Sequence, residues 1–250
     1  MQTALTNPPV KEIVFEYRWK LEGEKGEEFD SGYELLIGSF YDKLRTRYPK
    51  YAPLPIPVKI PYMAQYRFES ESRYPMVQIG MGVLAINATT KNYKWEDFEQ
   101  RILEAFGFFV DSRKDVSELE CKTLILRYLN SIDFDFEKDN LEKFFKENLG
   151  ILIKNNDKIV EKNMEPQPTA VDVRFNYKLL KMNGKFSLHF YRGKMEGIEK
   201  EQLIWETTIS SPNNKKINRD EIAKWLADAH EIASSVFRNL TAGQLEARFK

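Results

Sequence analysis

From Lys11 the chain alternates with period two. Ile13, Phe15, Tyr17, Trp19 and Leu21 fall on one side, and Glu16, Arg18 and Lys20 on the other. Successive strand side chains point to opposite faces, so this run predicts a half-buried β-strand. The period then lengthens. In SGYELLIGSFYDKLRTRYP, Leu36, Phe40 and Leu44 recur every fourth residue, which predicts a helix capped by Ser31 and ended by Pro49. YAPLPIPVKIPY carries Pro53, Pro55, Pro57 and Pro61; these exclude helix and suggest a chain extended along a surface or a sheet edge. AQYRFES and YPMVQIGMGVLAINA read as two strands joined at ESESR.

Trp95, Phe98, Ile102 and Phe106 (or Ala105) form the apolar stripe of a further helix, and CKTLILRYLNSIDFDF returns to strand alternation. DNLEKFFKENLG predicts a short helix with Asp139 or Asn140 as cap and Gly150 as stop. Residues 151–168 are polar, contain Pro166 and Pro168, and read as a linker or a lid. Beyond them, Asn183–Gly184 marks a hairpin. Val171, Val173, Phe175 and Tyr177 share one face of its first strand, and Asp172, Arg174 and Asn176 the other. Ile204 to Ile209 reads as a third strand. A long amphipathic helix closes the chain, with Ile222, Trp225, Leu226, Ala229, Ala233, Val236, Phe237 and Leu240 inward and Asn218 or Asp220 as cap.

Hairpins dominate this order and no regular βαβα alternation appears. The fold class expected is α+β, a mainly antiparallel sheet with several packing helices and a long C-terminal helix. Residues 1–150 form one half and 151–250 a three-stranded unit plus helix, the two packed as one compact body.

Composition narrows the function. Lys+Arg and Asp+Glu number 38 each, so net charge gives no general attraction to a polyanion. The single cysteine, Cys121, excludes an intramolecular disulfide and fits a reducing compartment. MQTALTNPPVKE lacks the basic start and apolar core of a signal peptide, and no apolar run approaches the ~18 residues of a membrane span. A cytoplasmic protein without membrane contact is expected.

Several residue types invite chemistry. Gly80 and Gly82 bracket Met81, but more strand sequence follows them rather than a helix start. A phosphate loop is therefore disfavoured, and close approach of another backbone is the expected role. His189 and His230, with one cysteine, make no zinc pattern, so neither metal nor cofactor is expected. His230, with Glu231 or Asp228 beside it, and His189 are the candidates for a general base, weighed against boundary histidines that make a packing hydrogen bond. Cys121 has no neighbouring imidazole or helix start in the sequence and reads as a packing residue. On the strands, Arg127 and Arg174 offer forks for phosphate or carboxylate, with Asn130 and Asp172 near them; cross-strand ion pairs are the competing reading. Lys43, Arg45 and Arg47, interleaved with Tyr48 and Tyr51, are the one place where nucleic acid could be touched.

NPPVKEIVFEYRW, YPMVQIGMGVLAINATTKNYKWEDF, RYLNSIDF and DAHEIASSVFRNLT occur in this order along the chain. Together they resemble a family of roughly 250-residue, sporadically distributed prokaryotic proteins without an assigned activity. The resemblance covers most of the chain, least so around 150–215, and brings no catalytic residues. Its patchy distribution implies accessory genes, such as defence or toxin–antitoxin modules. No catalytic signature appears and aromatics are plentiful, which suits interfaces. The expected function is that of an accessory protein binding a protein partner or its own copies. The alternative is a small-molecule or nucleotide binder, or an enzyme acting on one, that uses the strand-borne Arg and Asp residues with a histidine.

Overall fold

The computed structural model describes residues 8–24, 27–55, 60–89, 93–113, 119–153, 161–164, 168–195 and 199–249. Pro57, Pro166 and most of the polar stretch after Ile153 lie outside these residues.

Strand β1 (Val10–Trp19) forms where alternation predicted it and buries Ile13, Phe15, Tyr17 and Trp19. Helix α1 (Tyr33–Leu44) turns Leu36, Phe40 and Leu44 inward. Ser31 does not cap it. Gly32 holds the cap position, and the Ser31 hydroxyl instead donates to Glu22 Oε1 at 2.8 Å. Strand β2 (Lys50–Pro53) is four residues long, bounded by Pro49 and Pro55, and pairs with β3 (Tyr66–Ser70).

The stretch from Arg73 to Asn87 is not one strand. It is a hairpin of β4 (Arg73–Gly80) and β5 (Val83–Thr89), with Met81 and Gly82 as the turn. Gly82 has φ +83°, a conformation glycine adopts at no steric cost. The reversal changes the faces: Val83 and Leu84 lie opposite to the sides that an uninterrupted strand assigns them. Gly80 stays on the face of Met76 and Gln78, as the ladder pairs show.

The chain continues through α2 (Trp95–Ser112), β6 (Cys121–Ile132), α3 (Leu141–Leu149), β7 (Asp172–Leu179), β8 (Gly184–Gly193), β9 (Gln202–Lys215), α4 (Arg219–Thr241) and the single turn α5 (Gln244–Ala247). Local signals explain several ends. Asn140 accepts from the Lys143 N–H at 2.8 Å, and Gly150 closes α3 at φ +63°. Asn218 and Glu221 form a reciprocal capping box at the start of α4.

Nine strands make one sheet in the order β2-β3-β4-β5-β1-β6-β9-β8-β7, every neighbouring pair antiparallel. The fold is α+β. β6, from the N-terminal half, pairs with β9 along almost its whole length. The helices share one side of the sheet. Phe40 of α1 meets Phe68, Phe106 and Phe109 of α2 meet Tyr17, Phe145 of α3 meets Phe190, and Trp225 and Phe237 of α4 meet Phe15 and Trp205. The ladder registers put Phe68, Phe15 and Trp205 on one face, where large aromatics supply much of the buried area. Among the described residues, no helix is long and apolar enough to cross a membrane.

A buried ion pair ties three elements together beneath this layer. Arg113, just past α2, donates two hydrogen bonds to Asp30, of 2.8 and 3.0 Å, and both side chains are at most 4% exposed. Trp19 Nε1 and the Gly32 N–H also donate to the same carboxylate. A buried charge is tolerated when its lone pairs are satisfied in this way.

Candidate functional site

No described helix lies on the other side of the sheet, which is closed over β4 and β5, where Met76, Val83 and Ala85 are buried, and open from β1 to β7. Its central residues come from alternating positions: Glu12, Val14, Glu16 and Arg18 on β1, Ile125, Arg127 and Leu129 on β6, Glu206, Thr208 and Ser210 on β9, Ser187, His189 and Tyr191 on β8, and Asp172, Arg174 and Asn176 on β7. On the β1, β6 and β9 strands these side chains are half-buried, although no described helix lies over them. Long charged side chains lie along the sheet in pairs. Arg18 meets Glu16 at 2.6 Å, and Arg67 meets Glu69 at 2.7 Å. The Arg127 guanidinium sits between Glu16 (3.7 Å) and Glu206 (3.8 Å), while Thr208 donates to Glu206 at 2.9 Å.

The strand-borne candidates Arg127, Asp172 and Arg174, together with His189, therefore share this open face. Asp172 and Arg174 flank His189 across the β7–β8 ladder. A carboxylate only accepts and a guanidinium only donates. His189 Nε2–H thus donates to Asp172 Oδ1 (2.7 Å), and Nδ1 accepts from Arg174 Nη2 (3.0 Å). Both ring nitrogens are engaged and the tautomer is fixed. The imidazole also stacks on Tyr191, with ring centroids 4.6 Å apart.

Asn130 and His230 lie on the other, helix-covered face. Asn130 is 1% exposed and donates to the Trp205 carbonyl. His230 joins a nest built from three separate elements. Its Nδ1 accepts from the Tyr128 hydroxyl of β6 at 2.7 Å, its Nε2 lies 3.3 Å from Ser234 Oγ one turn along α4, and Trp95 at the start of α2 stacks on its ring at 3.8 Å and 3°. Burial drives the His230 pKa down to about 4, against a smaller upward pull from Glu96, so the ring is neutral at pH 7. Glu231 and Asp228 are exposed; Tyr128, Ser234 and Trp95 are the groups that meet the ring. No spacing in the sequence announces this nest, because its members come together only in three dimensions.

The remaining candidates are placed as follows. A Cβ on Gly80 would collide with the Met63 carbonyl, and one on Gly82 would lie 2.8 Å from the Tyr62 ring, so residues 62–64 of this same chain cover the glycines. Cys121 is fully buried, and burial pushes its thiol up to about 12, which leaves it protonated. Arg45 is 3.8 Å from Asp42 and Arg47 is 2.6 Å from Glu104, while Tyr48 is 1% exposed and closed to stacking. Tyr51 and Lys43 are exposed. A cleft of about 510 Å³ between α2 and the start of α4 is lined by Tyr17, Phe106, Phe109, Leu119 and Ile217; Arg127, Asp172, Arg174 and His189 are not among its residues. The neighbouring segment 114–118 lies outside the described residues. Among the described residues, no three His, Cys, Asp or Glu side chains are grouped to hold a metal ion.

Comparison with protein-family models and with curated proteins finds no match for this chain.

Proposed function

We propose that this is a cytoplasmic accessory protein that acts through protein–protein interaction, with the open face of the sheet as its contact surface. The observation that carries the reading is the one-sided placement of the helices, which leaves the β1, β6, β9, β8 and β7 part of the other face with no described helix across it. The surface is mixed in charge and interleaved with Val14, Ile125, Leu129 and Tyr191. That composition suits a protein surface better than a polyanion. Both histidines have their ring nitrogens engaged, which favours binding over acid–base chemistry. The family resemblance adds a prokaryotic setting, with a defence or toxin–antitoxin module as the place to look for the partner.

The test is affinity isolation from the native host, comparing the unaltered chain with a variant carrying Ser187→Arg and Ser210→Arg. These changes put bulk on the open face without removing an ion pair. The expected result is a co-purifying protein that the variant loses. Recovery of the same protein by both chains overturns the assignment to this face, and the absence of both a partner and self-association overturns the function.

A second reading rests on Arg127. Its Nε has no hydrogen-bond partner among the described residues. A small anionic ligand that displaced Glu16 or Glu206 would complete its fork. The flanking carboxylates oppose this, which ranks it second. A thermal-shift series with nucleotides and dicarboxylates tests it, and Arg127→Lys would abolish any shift found.

A further inference from the structure

β7 differs from the rest of the sheet. Among the described residues nothing pairs with its outer side. It runs for eight residues without proline or bulge. Val173, Phe175 and Leu179 on its helix-side face are half-buried, Tyr177 is 57% exposed, and Leu180 at the turn is 91% exposed. A long edge with an apolar row is a template for a further strand.

The ladder shows which backbone groups point outward. The Arg192 N–H donates to the Val171 carbonyl at 3.3 Å, so residues 171 and 192 are a hydrogen-bonded pair. Such pairs alternate along an antiparallel ladder. The β7–β8 register runs unshifted from Asp172–Tyr191 to Leu179–Gly184. Val173, Phe175, Tyr177 and Leu179 therefore spend their backbone groups on β8. Asp172, Arg174, Asn176 and Lys178 direct N–H and C=O away from the sheet.

A second copy of β7 can satisfy these groups about a two-fold axis, which must pass through a residue so that outward residues oppose outward residues. With the axis at Phe175, Asp172 opposes the partner's Lys178, Arg174 opposes the partner's Asn176, and every outward residue is paired. An axis at Asn176 sets Arg174 against the partner's Lys178, and an axis at Arg174 sets that residue against itself. Like charges directly opposite are destabilising. Axes at Val173 or Tyr177 leave half of the outward residues unpaired. Complete pairing and charge complementarity together select one register.

We infer that β7 pairs antiparallel with the same strand of a second copy of this chain, about a two-fold axis at Phe175. This deepens the interaction reading by naming one partner, and it uses an edge that the open-face variants leave untouched.

Sedimentation of the full chain tests it. The expected result is a dimer with a dissociation constant in roughly the micromolar range, as for a small interface. Asp172→Lys and Lys178→Asp each weaken it by about tenfold or more, and the double exchange restores it. Lys178→Asp matters because, unlike Asp172→Lys, it leaves the His189 contact intact. Circular dichroism confirms that each variant folds. Mild oxidation of Phe175→Cys gives a disulfide-linked dimer, because directly opposed residues of a non-hydrogen-bonded pair lie about 4.5 Å apart, whereas Tyr177→Cys does not. A monomer at all accessible concentrations, a dimer indifferent to both charge reversals, a double exchange that fails to restore it, or equal cross-linking at both positions overturns the inference. A host protein still captured through the open face would show that the inference alone had failed.

Discussion

Asp30 holds together the end of β1, the start of α1 and the end of α2, and its carboxylate is surrounded by donors from all three. Removing it leaves the Arg113 charge buried without its counter-ion. Asp30→Ala should lower stability by about 3–5 kcal/mol, measured by urea unfolding. His230 makes the opposite kind of demand. Its folded pKa of about 4 lies below the ordinary value of 6.5, so the unfolded chain binds the extra proton. Stability should be unaffected above about pH 6.5 and fall as pH drops toward 4, by on the order of 2 kcal/mol from this group. Comparing unfolding at pH 7 and pH 5 for the unaltered chain and His230→Gln checks it, since the variant should lack that increment.

At the scale of elements, the pattern of the chain was legible wherever a signal was local. Period-two alternation located β1, β6 and β8, the fourfold stripe located α2 and α4, and Asn140, Gly150 and Asn218 marked helix ends that the hydrogen bonds show. Asn218→Ala should cost about 1 kcal/mol through the lost capping box, seen as a lower melting temperature. The β4–β5 turn was not legible because Met81 is apolar and buried, so hydrophobic alternation runs straight through the reversal. Only the positive φ of Gly82 betrays it. Ser31 looked like a cap by residue type, but Glu22 claims its hydroxyl. Gly80→Ala should destabilise by about 1–3 kcal/mol, because the added methyl meets the Met63 backbone rather than a side chain that can swing away. The shared face of Arg127, Arg174, Asp172 and His189 was foreshadowed by strand alternation, but which strands neighbour which was not. The His230 nest depends on that unread topology.

For the whole molecule, β6 and β9 make the two halves of the chain into one hydrogen-bonded surface. Unfolding should then occur as a single transition, with far-ultraviolet dichroism and tryptophan fluorescence coincident in urea. Trp19 reports from the N-terminal half, and Trp205 and Trp225 from the C-terminal half. Two separated transitions would show halves that stand alone.

Among the described residues the two rims of the sheet are unequal: β2 is a short strand hemmed by prolines, while β7 is long and has nothing paired with its outer side. Prolines withhold donors, so the β2 rim is a poor seed for a further strand. Growth by strand addition therefore has one available end, and a self-complementary end is consumed by a single event. A molecule joined in the proposed way closes as a pair and is spared from becoming a fibre.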